Sequence, residues 1–161
     1  MWVLGHIALG YFSAYSVSKF TKERIIIPLV WIVSLLPDLD ELIERYIAHR
    51  GPSHSIIFVI IMFIPVFLIF RRGLPYFAAL ASHILIGDYF VPPTQMFWPL
   101  TQSWYGAPSI LQLKGTPETG VEVLLFILML LFILHRRRLF IDAPGTRLVS
   151  SIAHALIQVV G

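Results

Sequence analysis

A chain of 161 residues has room for one domain rather than two. Hydrophobic residues make up 57% of it and charged residues 13%, too few charges for a water-facing surface, where about 25% is usual, so soluble, fibrous and disordered classes are excluded. The mean hydropathy of +0.80 predicts an integral membrane protein instead, and the net charge of +3 sits in basic clusters beside apolar runs, as membrane-orientation signals do, so no nucleic-acid partner is expected.

The first apolar run covers residues 2–17; no basic stretch precedes it, so it reads as a retained anchor rather than a cleavable signal. Lys19, Lys22 and Arg24 follow. The second run, 25–36, is closer to a half-span and stops at Pro37. An acidic connection leads to the third run, 55–70, which Ser53 is suited to cap. Arg71 and Arg72 separate it from the fourth, 75–90. The loop from Tyr89 to Tyr105 mixes prolines with Phe97, Trp98 and Trp104, the composition of an aromatic belt at the headgroup level. Thr116 as cap and Pro117 at the first helical position introduce the fifth run, 120–134. Arg136, Arg137 and Arg138 close it. Beyond them, residues 147–160 set Arg147, Ser150, His154 and Gln158 on one helical face, which predicts an interfacial amphipathic helix.

The expected fold is therefore all-α: a polytopic helical membrane protein with about five short membrane segments and a C-terminal amphipathic helix. Residues 1–135 form the helical membrane domain with the polar motifs, and 136–161 the basic connection and interfacial helix. Most segments are shorter than the ~20 residues of a full span, which suits a thinned bilayer or a site set into the membrane. The basic connections define the cytoplasmic side. This puts the protein in the cytoplasmic (inner) membrane, with the N-terminus outside and membrane lipids as its surroundings.

The polar groups kept in so apolar a chain carry the functional signal, because each is costly to bury unless paired or bound. They are His6, Asp38, Asp40, His49, His54, His83 and Asp88. The topology gathers all seven on the outer side. Cysteine is absent, so a metal must rest on His, Asp and Glu, and imidazole with carboxylate suits zinc or a similar divalent ion. Asp38 and Asp40, two apart after Pro37, can turn toward one ion if the segment is extended; otherwise they cap the stretch after them. His49-Arg50-Gly51-Pro52-Ser53-His54-Ser55 brings two imidazoles around a Gly-Pro turn. His83 and Asp88 are five apart and out of line on an ideal α-helix, so Gly87 is expected to mark a bulge or helix end that brings Asp88 round. Glu118 suits the positive end of its helix. Glu122, a turn deeper, is a further candidate ligand or acceptor. His135 and His154 read as bystanders.

His6-Ile-Ala-Leu-Gly10, Leu36-Pro37-Asp38-Leu39-Asp40, the His49 to Ser55 motif, Ser82-His83 with Asp88, and Phe97-Trp98-Pro99-Leu100 occur in this order. Together they resemble the membrane-bound metal-dependent hydrolase family that includes the LexA-binding, inner membrane-associated hydrolases. The resemblance covers roughly residues 1–135. That family is distantly similar to zinc-dependent phospholipase C and the zinc single-strand nucleases, and the resemblance implies that His6, Asp38, Asp40, His49, His54, His83 and Asp88 surround one or more metal ions. The family spaces the late His and Asp four apart, where this chain has five.

The leading expectation is a zinc-type hydrolase acting on a phosphoester, or on a lipid headgroup, at the outer membrane surface. Asp38, His49 and His54 are the foremost ligands. Asp40 is expected to bridge two metals or act as general base, and Arg50 to steady an anionic substrate. The alternative is a non-catalytic scaffold or regulatory membrane protein with a structural metal site.

Overall fold

The computed structural model describes residues 3–43, 45–46, 49–70 and 73–136, with helices, turns and loops and no extended strand among them. Five α-helices follow the apolar runs: α1 Val3–Thr21, α2 Ile27–Ser34, α3 Ile56–Phe70, α4 Leu74–Ser82 and α5 Thr116–His135. The expected amphipathic helix at 147–160, and all of the 136–161 unit except Arg136, lie outside the described residues.

Helix α1 packs against α4, α5 and α2. Small residues permit this close approach, as they do between membrane helices. Ala8, Ala14 and Ala79 are completely buried. At Gly10 an added Cβ would lie 1.8 Å from the Ser34 hydroxyl, so α1 and α2 can cross there only because the side chain is missing. Val30, Leu80, Ile84, Met129 and Ile133 fill the remaining core.

The helices are short for identifiable reasons. Pro28 starts α2, and the chain then tightens into a 3-10 turn over Pro37–Ile43. This corrects the expectation of an extended turn at Asp38 and Asp40. Helix α3 is capped by Ser55, whose hydroxyl accepts the Phe58 amide at 3.1 Å; Ser53, the expected cap, points elsewhere. Helix α4 gives way to a π turn over His83–Gly87 and a 3-10 turn over Asp88–Phe90. Gly115, with φ of +66°, takes the cap position of α5 in place of Thr116.

Among the described residues, one helix, α5, is long and apolar enough to cross a membrane; the apolar helix Ile56–Ile69 is shorter. The five expected segments are thus five helices, of which one has the dimensions of a span. The others stop where polar groups and tight turns begin.

The two ends of the bundle differ in charge. Lys19 lies over the Tyr15 ring, Arg136 lies over the Phe132 ring, and those rings meet edge to face at 5.0 Å. The basic ends of α1 and α5 therefore lie together. His6, the 3-10 turn, the start of α3 and the end of α4 meet at the other end.

Candidate metal centre

Four chain regions converge at that second end: the start of α1, the 3-10 turn after α2, the Gly-Pro turn before α3, and the π turn after α4. His54 and His83 are fully buried, and His6 and Asp88 are nearly so. The Nε2 atoms of His54 and His83 lie 3.3 Å apart. Asp38 Oδ1 is 3.3 Å from both nitrogens, and Asp88 Oδ2 is also 3.3 Å from both. The four donor atoms thus form two equal triangles sharing the nitrogen–nitrogen edge. Atoms that share one tetrahedral ion at about 2.0–2.1 Å are themselves about 3.3 Å apart.

The backs of both rings fix which nitrogen faces inward. His83 Nδ1 donates to the Ser34 carbonyl at 2.7 Å, so its Nε2 carries the lone pair when the ring is neutral. His54 Nδ1 faces Asp40 Oδ2 at 3.3 Å and Ser53 Oγ at 3.0 Å. Asp40 also accepts from the Ser53 hydroxyl, the Arg50 amide and His49 Nδ1. Its carboxylate stands behind the imidazoles, away from the paired Nε2 atoms. In the 3-10 turn Asp38 and Asp40 therefore grip opposite nitrogens of the same ring, whereas an extended turn would have pointed both at one ion.

The π turn explains how His83 and Asp88 meet. The Asp88 amide donates to the His83 carbonyl, an i to i+5 bond that widens the turn and brings residues five apart onto one side. Gly87 is the necessary residue in it, because a Cβ there would lie 2.6 Å from the His6 ring. His6 stacks on His83 with centroids 3.5 Å apart and planes within 9°. Neither nitrogen of the buried His6 ring has a hydrogen-bond partner, and Asp88 Oδ1 stands 3.6 Å from its Nε2. An unbonded buried imidazole is costly, and a cation at this point would supply the missing partner.

The electrostatics outside the helices favour a cation. Burial pushes the Asp38 carboxyl up, but hydrogen bonding to His54 and His83 outweighs it and holds the group well below the usual carboxylate range. Burial likewise raises Asp40, yet His54, Ser53 and His49 bring it down to about 2. Burial lowers His54, and its bonds to Asp38 and Asp40 overcome that and leave it above the ordinary histidine value. Two carboxylates thus stay ionised, and they favour the charged form of the imidazole between them.

Three donor groups can hold a metal ion: His6 with Asp38 and His83; His54 with His83 and Asp88; and Asp38 with His49 and His54. His49 belongs to the open side, with its side chain 27% exposed. Glu122 is buried on α5 but belongs to none of these groups. Arg50 adopts φ of +62° and turns its guanidinium to the Pro92 carbonyl at 2.8 Å, with Asp88 Oδ1 at 3.8 Å. It ties the 91–113 loop to the site. That loop is further held by the Gln95 amide on the Arg50 carbonyl and the Ile56 amide on the Met96 carbonyl.

Sequence reasoning missed Ser53 and Ser34. Ser53 was obscured because two serines flank His54 and either could cap α3; the Ser34 contact uses a backbone carbonyl, which no side-chain pattern reveals.

The chain matches the YdjM inner membrane protein family over residues 1–157 and belongs to it. No curated protein and no solved structure matches it.

Proposed function

We propose that this member of the YdjM inner membrane protein family is a zinc-dependent hydrolase whose site faces away from the cytoplasm and acts on a phosphoester or a lipid headgroup. The observation that carries the reading is the pair of 3.3 Å triangles that Asp38 Oδ1 and Asp88 Oδ2 each form with His54 Nε2 and His83 Nε2. Donors of this kind, without sulfur, suit zinc among divalent ions. When bound, such an ion lowers the pKa of a coordinated water toward about 7 and polarises a phosphoryl oxygen.

The chain's own residues divide the remaining work. His54, His83 and Asp88 form one donor group for the ion, and His6, Asp38 and His83 form another beside it. Ser34 and Asp40 fix the ring tautomers from behind, and Ser53 holds Asp40 in place. His49, half turned to solvent and near Asp38, is the group best able to receive or return a proton on the open side. Arg50 holds the covering loop through the Pro92 carbonyl and stands beside Asp88, where it can also steady an anionic substrate.

A second reading keeps support from one observation: His54, His83 and Asp88 are closed off from solvent, as the ligands of a structural ion are. The partly exposed Asp38 and His49 favour the catalytic reading. The test is a panel of phospholipids and simple phosphodiesters, assayed with zinc-loaded protein. Turnover that disappears in His54→Ala and falls in Asp40→Asn supports hydrolysis. Turnover unchanged in both variants puts the activity in a contaminant or a different site, and turnover absent from zinc-loaded protein on every substrate moves the assignment to the structural ion.

A further inference from the structure

Between the 3-10 turn and α3 lies a cavity of about 310 Å³, walled by Leu39, Ile57, Ile61 and Trp98 and lined also by Asp40 and Ser53. These last two are the groups that face the Nδ1 atom of His54, away from the paired Nε2 atoms. The Asp40 oxygens are already engaged by His49, Arg50, Ser53 and His54, so a polar ligand would find little to bond. An apolar one would lose nothing.

The cavity is continuous with a surface that identifies its occupant. Ile61, 53% exposed, belongs to a stripe of α3 that also exposes Ile60, Ile64 and Leu68. In an inner membrane protein an exposed apolar stripe of this kind is suited to face lipid hydrocarbon. The groove therefore opens onto this apolar face, beside the turn that holds the metal-site imidazoles.

We propose that this groove takes up one hydrocarbon chain of a bilayer lipid, and that the substrate class is accordingly an acylated membrane lipid rather than a soluble phosphodiester. The substrate part rests on the hydrolase reading above. The groove distinguishes the two classes because it rewards the chain of a lipid and offers nothing to a soluble ester.

The experiment uses the full chain in vesicles of phosphatidylethanolamine and phosphatidylglycerol, doped with a phospholipid carrying a photoactivatable group in its acyl chain. Adducts are mapped by mass spectrometry, and zinc is measured in the same samples. Labelling at Ile57 and Met62 should exceed that at the open lipid face around Leu68. It should drop several-fold in Ile61→Trp, and in Leu39→Trp as an independent filling of the groove, while Leu68 labelling and zinc content stay unchanged. Labelling at Ile57 and Met62 that merely equals Leu68, or that ignores both fillings, overturns the proposal while retained zinc leaves the metal reading standing. Enriched, filling-sensitive labelling in protein that binds no zinc keeps the chain site and removes the hydrolase reading. Crosslinking of the groove to a co-purified protein in place of lipid contradicts the proposed occupant.

Discussion

The Nε2 atoms of His54 and His83 face each other at 3.3 Å, and the Nδ1 atom of each ring is directed at an acceptor behind it. Two neutral imidazoles so arranged would set lone pair against lone pair. A shared cation relieves that repulsion, and the two carboxylate oxygens at the same separation supply the balancing charge. Removing either ring should therefore abolish tight metal binding rather than trim it. His83→Ala and His54→Ala are each expected to lose bound zinc during purification, measured by elemental analysis; full occupancy in either would contradict the pairing.

Asp40 acts one bond further out. Asp40→Asn keeps the shape but loses the charge that orients His54 and His49, and is expected to weaken zinc affinity by about 10–100-fold. Competition with a chelating dye measures this. An effect as large as that of His54→Ala would make Asp40 a direct ligand.

Asp40 also sets an acid limit on the metal-free fold. Its folded pKa, about 2, lies below the unfolded value of 3.8, so its stabilisation is present above about pH 4 and is lost as pH falls toward 2. One such shift is worth about 2 kcal/mol. Metal-free Asp40→Asn should be less stable at neutral pH by about that amount, and its stability should depend less on pH between 4 and 2. Parallel acid-unfolding curves for the two proteins would contradict this.

Two glycines differ sharply in what they permit. Gly87→Ala would drive a methyl into His6 at 2.6 Å, costing about 1–3 kcal/mol and disturbing the His6–His83 stack. Gly120→Ala, within α5, meets nothing within 4 Å and should leave zinc content unchanged while raising stability by about 0.5–1 kcal/mol. Thermal unfolding in detergent with parallel metal analysis compares them.

Much of this was legible in the sequence. The apolar runs located all five α-helices among the described residues, and the polar residues surviving among them marked the four regions that converge. The interval from His83 to Asp88, with Gly87 between, signalled a departure from α-helix, and the π turn supplies it. What the sequence hid was direction. Asp38 and Asp40 look equivalent on the page, yet the 3-10 turn sends one to the Nε2 side and the other to the Nδ1 side of His54. Glu122, chosen for its depth along α5, is buried but falls in none of the three donor groups.

The proposed orientation in the membrane rests on charge alone and has its own test. In a chain without native cysteine, Tyr46→Cys should react with an impermeant thiol reagent from outside the cytoplasmic membrane, and Arg24→Cys only after the membrane is opened. The reverse pattern would turn the site toward the cytoplasm.

The most direct measurement of the central claim is X-ray absorption spectroscopy, combined with elemental analysis, on protein purified without chelator. The account predicts bound zinc with only nitrogen and oxygen neighbours at about 2.0–2.1 Å, including the scattering of two imidazoles that disappears with His83→Ala. Protein that contains no metal and takes up none on titration would contradict it.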